Sequence, residues 1–136
     1  MCNNSLIFMT TTTDAAVLAN GIIPLTTIQR RRGRAIQNGT NSVLLNMPGY
    51  YKITGSVTFT APAAGVVNIQ LQKNNVDVPG IAVGETITTA TTEVRTLNIN
   101  GIVRVYCNED IATLTLVNNG VAITVQNVAL DVEYLD

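Results

Sequence analysis

Long stretches of this chain alternate apolar and polar residues, and Thr, Asn, Val and Ile dominate the pattern. In the clearest run, between residues 50 and 60, the apolar members are Tyr51, Ile53, Val57 and Phe59. A period of two places successive side chains on opposite faces of a strand. β-branched residues lose rotamer freedom in a helix but pack well on a half-buried sheet. The pattern predicts an all-β protein, because no stretch shows convincing helical periodicity.

The chain lacks the side chains on which most enzymes depend. It contains no His and no Trp, and only 12% of its residues are charged. Its acidic residues include few close pairs. Cys107 has no neighbouring His or second Cys for metal or nucleophile chemistry, so it is expected to be a small packing residue. The sequence therefore predicts a binding or structural protein that is not an enzyme and uses no cofactor.

Low charge also bears on assembly. The 136 residues are expected to form a single domain. Of these residues 46% are hydrophobic, and the net charge of the chain is only −1. Because exposed apolar surface is rarely left uncovered and little charge keeps copies apart, we expect an obligate oligomer. The near-neutral balance argues against nucleic acid as the main partner, since that binding relies on many Lys or Arg contacts with phosphate.

Nothing in the sequence indicates export or membrane insertion. No N-terminal segment combines basic residues with a long apolar stretch, so no signal peptide is predicted. The apolar run Leu6 to Met9 is too short to span a bilayer. Cys2 and Cys107 are too few to indicate a disulfide framework, and both are expected to be reduced thiols. We expect retention in a cytoplasm, unless the protein leaves inside a larger particle.

Residues 1–13 are predicted to form an N-terminal arm, and residues 14–136 a single domain. The arm joins an apolar patch to four Thr residues, and it could pair as an edge strand, lie against a neighbouring subunit or fray. In the domain, Lys73-Asn74-Asn75-Val76 predicts a type I′ hairpin, because Asn tolerates positive φ. Pro79-Gly80 predicts another turn. Residues 83–92 are expected to form a loop with a short strand.

The last segment changes the face on which its apolar residues lie. Its apolar parity switches between Val125 and Val128. A regular strand cannot change faces, so a bulge or sharp bend is predicted near Gln126-Asn127. Many short strands separated by turn residues predict a sandwich or barrel.

Several features occur in an order that resembles a known superfamily. Pro48-Gly49-Tyr50-Tyr51 leads into the clearest strand, and a later strand ends in Lys73-Asn74-Asn75. A further strand, an acidic turn and a return strand follow from Val103 to Leu116, and an apolar strand lies close to the end. The order resembles the jelly-roll superfamily of tumour necrosis factor and the globular heads of the first complement component. This resemblance implies a jelly-roll β-sandwich of about 8 to 10 antiparallel strands that forms trimers.

The stretch Ala19 to Leu25 followed by Arg30-Arg31-Arg32-Gly33 is similar to small free-standing jelly-roll proteins encoded among the structural genes of bacteriophages. That resemblance implies a virion protein, assembled in the host cytoplasm, that acts as a capsid decoration, a head fibre or a tail-associated knob. Its implied partners are two further copies and other virion proteins. The alternative is an adhesin domain that binds a host receptor or glycan through loops at the distal end of the trimer. Residues 86–92 would then be a host-contact candidate.

Two sets of residues are candidates for these contacts. The first set supplies the core or the trimer interface: Tyr51, Ile53, Val57, Phe59, Ile69, Leu71, Val103, Val105, Leu114, Leu116, Leu130, Val132 and Tyr134. The second set holds half of the basic residues and is a docking-patch candidate: Arg30, Arg31, Arg32 and Arg34. This arginine cluster could bind an acidic surface or a phosphate, pair with carboxylates of a neighbouring subunit, or form a solvated turn.

No acidic group predicts a metal site. Glu109-Asp110 could contribute to a Ca²⁺ site, but Ca²⁺ needs about six to eight oxygen ligands. We therefore expect these two residues to cap a hairpin turn. Asp131 and Glu133 share a face of the last strand, where they could bracket a cation on a trimer axis or simply face solvent. The four tyrosines could stack on a sugar ring, but with so few aromatic residues they are expected to anchor the core and the interface. We expect chelators to leave the fold and the assembly unchanged.

Overall fold

A computed structural model describes residues 5–88, 94–109 and 111–135. In these ranges the chain forms no helix, as the alternation predicted, and eleven strands, where about 8 to 10 were expected. The strands are β1 (Leu6–Thr11), β2 (Ala15–Val17), β3 (Thr27–Arg32), β4 (Ile36–Gly39), β5 (Ser42–Leu45), β6 (Gly49–Thr60), β7 (Gly65–Lys73), β8 (Val76–Ile87), β9 (Arg95–Val105), β10 (Ala112–Asn118) and β11 (Ile123–Leu135).

The strands form two antiparallel sheets around one core. The first sheet has the order β3-β1-β11-β6-β9, and β2 pairs with the start of β11. The second sheet has the order β4-β5-β10-β7-β8. This arrangement is a jelly-roll sandwich, in which β3 and β9 lie at opposite edges of the first sheet.

Strand β6 shows how the sequence builds the core. Its residues alternate strictly between buried and more exposed positions, and the side chains of Tyr51, Ile53, Val57 and Phe59 are buried. Gly55 fills the remaining inward position, where a Cβ atom would lie 3.1 Å from both Ala129 O and Leu130 Cδ1. Full burial of a large apolar side chain stabilises the fold by about 1.5 to 3 kcal/mol, so this one face contributes substantially to the core.

The predicted bulge in the last segment is confirmed. The pairing of β11 with β6 shifts its register between Val125 and Asn127, so Gln126 is the extra residue. Val125 and Val128 consequently both face the core, although their spacing would put them on opposite faces of a regular strand.

The Asn74-Asn75 hairpin is also confirmed, whereas the turn at Pro79-Gly80 is wrong. Asn74 and Asn75 both have positive φ, 52° and 67°, between β7 and β8. β8 then continues through Pro79-Gly80 to Ile87, with a register shift between Gln70 and Gln72 of β7. The Gln70 side-chain amide donates to the carbonyl oxygens of Val78 (3.0 Å) and Ile81 (3.3 Å). This side chain replaces the ladder hydrogen bonds that the shift interrupts, so the strand bulges there without reversing.

Two further segments differ from expectation. Residues 83–87, predicted as mostly loop, complete β8, and residues 89–92 lie outside the described range. Residues 6–11 of the predicted arm form β1, which pairs with both β11 and β3. β1 is therefore an interior strand, because Ile7 and Met9 bury their side chains in the core that the other strands share. Residues 1–4 lie outside the described range.

The structure places the core-or-interface candidates inside the protomer. Twelve of the thirteen have buried side chains, and Tyr134 is partly buried against the same core. The ring of Tyr134 lies 5.0 Å from that of Tyr51, between ring centres. These side chains are already covered within one copy, so contacts between copies must involve other residues.

Candidate interaction surfaces

Five large apolar side chains remain exposed near the end of β9. We call Tyr50, Val76, Ile102, Tyr106 and Leu135 the β9 surface; their exposed fractions lie between 41% and 67%. Strand pairing explains how two of them, Tyr50 and Leu135, come together beside β9. Leu135 lies opposite Tyr50 across β11 and β6, and Tyr50 lies opposite Arg104 across β6 and β9.

A groove of about 450 Å³ extends this surface between the β7–β8 hairpin and the end of β9. Strand β8 contributes Val76, Val78 and Pro79 to its walls, and β9 contributes Ile102. The bulge around Pro79 thus shapes one wall of the groove. Large exposed apolar side chains beside a groove are typical of a surface that contacts another molecule.

Arg104 lies in the middle of the β9 surface. Its guanidinium carbon is 4.5 Å from the centre of the Tyr106 ring and 5.4 Å from that of Tyr50. Within the described residues, no carboxylate lies within ion-pair distance of Arg104. Cation–π contacts therefore hold this charge beside the apolar side chains.

The acidic turn after β9 is held by hydrogen bonds to Glu109. A single oxygen of Glu109, Oε1, accepts hydrogen bonds from Lys73 Nζ and from the backbone N–H of Tyr106, both at 2.8 Å. The bond from Lys73, assisted by that from Tyr106, lowers the pKa of Glu109. The described part of the chain contains no group of three or more acidic, Cys or His side chains that could hold a metal ion. Asp110 lies outside that part.

The outer face of the first sheet carries a pair of like charges. Asp131 and Glu133 are both partly exposed there, and Lys52 lies opposite Glu133 on β6. Burial raises the pKa of Asp131, Glu133 raises it further, and Lys52 acts in the opposite direction. The ionised Asp131 carboxylate is therefore unfavourable in the folded protomer.

The arginine cluster does not form a turn. Arg30, Arg31 and Arg32 lie on β3, at an edge of the first sheet, and only Arg34 lies in the connection to β4. All four are exposed, and none takes part in an ion pair with another described residue. Arg30 Nη1 donates to Gln29 O at 2.8 Å, and Arg31 Nε donates to Ile36 O at 3.3 Å.

The structure also shows where Cys107, the four tyrosines and Ile102 lie relative to expectation. Cys107 is exposed in the turn after β9, so the prediction of a packing residue was wrong. Tyr51 and Tyr134 anchor the core, whereas Tyr50 and Tyr106 lie on the β9 surface. Ile102 was not among the residues proposed from the sequence for a contact surface, although a signal was present. Ile102 and Val103 are adjacent apolar residues in one strand, so one of the two had to face outward.

The described residues include no helix capable of crossing a membrane.

No protein-family model matches this chain, and no curated protein matches it in sequence. Solved structures share its fold. Eiger TNF from S. frugiperda matches with a TM-score of 0.71 at 11% identity, over 98% of this chain and 92% of that one. The globular domain of the zebrafish complement 1qA protein matches with a TM-score of 0.69 at 6% identity, over 96% of each chain. PRD1 vertex protein P5 matches with a TM-score of 0.63 at 13% identity, over 100% of both chains.

Proposed function

We propose that this protein, whose fold is the jelly roll of tumour necrosis factor and the C1q globular domains, is a non-enzymatic structural protein of a bacteriophage virion. It acts as a homotrimer and serves as a capsid decoration, a head fibre or a tail-associated knob. The likeness of its fold to PRD1 vertex protein P5 supports the virion setting. The low charge of the chain supports assembly into a larger particle.

The observation that carries the homotrimer is the β9 surface. Three of its five apolar side chains, Val76, Ile102 and Tyr106, line the groove together with Arg104. All five stay between 41% and 67% exposed in the protomer. Association of copies would remove this apolar area from water and so stabilise the assembly, by about 25 cal/mol for each Å² buried.

The position of the β9 surface allows a head-to-tail contact. It lies where the β9 edge of the first sheet meets the β8 edge of the second, so it can face a different surface of the next copy. Such contacts form a ring when the rotation between copies closes, and they form open fibres when it does not. A threefold ring is what the resemblance to tumour necrosis factor implies.

A substitution at Ile102 tests the assembly. Ile102 is 60% exposed, so Ile102→Asp should leave the protomer folded while it places a charge in the contact. Leu18→Asp is the matched control, because Leu18 is 73% exposed near the opposite end of β11. Sedimentation equilibrium at micromolar concentration should give a trimer for the wild type and the control. It should give a monomer with an unchanged circular dichroism spectrum for Ile102→Asp.

A wild-type protein that sediments as a monomer would refute the trimer, and a trimeric Ile102→Asp variant would show that the contact between copies lies elsewhere.

The virion role has its own test. Purified trimer should bind capsids of the parent phage at a fixed stoichiometry, and cryo-electron microscopy of that particle should locate it. Binding to host cells by the purified protein, without binding to capsids, would favour the adhesin alternative.

A further inference from the structure

We propose that the open edge of β3 binds an extended acidic segment of a different protein by strand addition. The incoming segment would become a further strand of the first sheet, beside β3. This site is separate from the β9 surface, because β3 and β9 lie at opposite edges of that sheet. The proposal therefore does not depend on the homotrimer.

The backbone of β3 offers the required edge. Its residues Thr27 to Arg32 pair with β1 on one side, and no described strand pairs with the other side. An edge strand presents a row of backbone donors and acceptors that another extended chain can use. Recognition by strand addition takes its affinity from those main-chain hydrogen bonds and its specificity from alternate side chains.

The side chains of β3 also contribute nothing to the buried core. Of the strands in the described ranges, only β3 has every residue exposed. By contrast, the other edge strands β4, β8 and β9 each bury at least one side chain. Only its pairing with β1 and a few side-chain hydrogen bonds hold β3 in place, so a segment laid along its open edge would add backbone pairing that the protomer lacks.

The side chains of β3 indicate the charge of the partner. Arg30 and Arg32 are two residues apart on a regular stretch of the strand, so they lie on one face of the sheet. Their guanidinium groups have no carboxylate partner within the described residues. Guanidinium groups bind carboxylates in a bidentate geometry. An incoming strand with Asp or Glu at alternate positions would place one carboxylate opposite each arginine.

The same charges argue against a second copy as the occupant. Pairing of β3 with β3 from another copy would bring arginines opposite arginines, and like charges at such positions destabilise a sheet. Charged residues on edge strands commonly prevent self-association in this way. The charges that exclude a second copy would select an acidic segment.

This chain does not contain a suitable segment of its own. In the sequence, Asp131 and Glu133 are the only two acidic residues separated by one residue. Both lie in β11, which already pairs with β1 on one side and β6 on the other. Leu6 of β1 also separates Arg32 from Glu133, which leaves their backbones about 10 Å apart, two strand spacings. The partner is therefore a different protein.

Synthetic peptides provide the test. The probe is Thr-Val-Asp-Val-Asp-Val-Thr, and three control peptides isolate its features: Asn in place of Asp, contiguous Asp residues, and N-methylation of alternate amides. Binding is measured by isothermal titration at two salt concentrations. Nuclear magnetic resonance is used to follow exchange protection of the β3 amides. The binding is measured with both the wild type and Ile102→Asp. The result for the peptide can then be interpreted even if the proposed homotrimer does not form.

We expect the alternating acidic peptide to bind and to protect β3 amides from exchange. Double substitution of Arg30 and Arg32 by Ser should weaken binding by about tenfold or more, because it removes two charge-assisted contacts. In the Ile102→Asp protein, whose β9 contact is already disrupted, Arg104→Ser on the other edge of the sheet should leave binding unchanged. Equal binding of the N-methylated peptide or of single-stranded DNA would show a purely electrostatic patch and overturn the proposal. Absence of binding, or protection outside β3, would also overturn it.

Discussion

The ring of Tyr134 occupies the space that a side chain on Gly49 would need. A methyl group on Gly49 would lie 2.7 Å from Tyr134 Cε1, and Gly49 has a φ of 139°. The Tyr134 hydroxyl donates a hydrogen bond to Pro48 O at 2.9 Å. The end of the last strand is thereby fixed to the start of β6, directly beside the apolar β9 surface.

Gly49→Ala should therefore destabilise the protomer. The substitution combines a φ that L residues rarely adopt with a contact too short for a Cβ atom, and we expect a loss of about 1 to 3 kcal/mol. Gly80→Ala is the matched control, because Gly80 also has positive φ, 85°, but has no atom near its Cβ position. Urea unfolding should show a larger loss for Gly49→Ala; equal losses would mean that Tyr134 moves aside without cost.

Gln70→Met should lower the stability of the protomer, because it removes hydrogen bonds that hold the bulge in β8. Gln70 is buried, and its amide satisfies the carbonyl oxygens of Val78 and Ile81, which Met cannot do. Leaving buried acceptors without donors costs about 1 to 3 kcal/mol. Gln72→Met is the control, since the Gln72 amide makes an exposed hydrogen bond with Asp77. Thermal unfolding should give a clear drop for Gln70→Met alone, and similar melting temperatures for both variants would contradict the role of Gln70.

Phe59→Ala should strongly destabilise the protomer. The Phe59 side chain is fully buried between the sheets. Truncation of a buried Phe leaves a cavity and costs about 3 to 5 kcal/mol. Val66→Ala, at a residue that is 54% exposed, should change stability by less than about 0.5 kcal/mol. A loss below about 1 kcal/mol for Phe59→Ala in urea unfolding would show that this face is not the core.

Asp131→Asn should stabilise the fold at neutral pH. The pKa of Asp131 is raised in the folded state, chiefly by burial, so the ionised carboxylate opposes folding. This destabilisation is present above the folded pKa and disappears as the pH falls through it towards the ordinary value of 3.8. The melting temperature of Asp131→Asn should exceed that of the wild type at pH 7, and the difference should vanish near pH 3. A constant difference would assign the effect to packing.

Glu109→Gln should have the opposite pH dependence. The pKa of Glu109 is lowered by its hydrogen bonds from Lys73 and from the Tyr106 N–H. Its stabilisation is therefore present above the ordinary value of 4.5 and is lost as the pH falls through the lowered pKa. The variant should melt below the wild type at pH 7 and together with it in acid. A melting temperature equal to that of the wild type at pH 7 would mean that the turn does not need its carboxylate.

The sequence predicted those features that depend on residues close together in the chain. Alternation identified β6 and its buried face, because a strand must place every second side chain on the same side. Asn74-Asn75 identified a hairpin, because Asn tolerates positive φ. The parity switch located the bulge at Gln126, since a strand changes faces only by inserting a residue.

Pairing between distant segments decided the remainder. An apolar run such as Ile7 to Met9 does not reveal whether it will have one neighbour or two, so an expected arm became an interior strand. Pro79-Gly80 was predicted to reverse the chain, but Gln70, nine residues earlier, supplies donors that keep β8 in its sheet. Alternation put Val103 and Val105 among the core candidates and so Ile102 on the outer face, but it did not indicate that Ile102 would line a groove with residues of β8.

The sequence by itself thus determined the fold class, several turns and the residues that could form a core, because these follow from local conformation and period. Only the tertiary structure decided which surfaces are open to partners. Arg30 and Arg32 lie on an exposed edge because β3 has a neighbour on one side only. Leu135, Tyr50 and Arg104 lie side by side because three strands that are distant in sequence pair in one register. An open edge and a shared surface depend on which strands become neighbours, and local patterns do not contain that information.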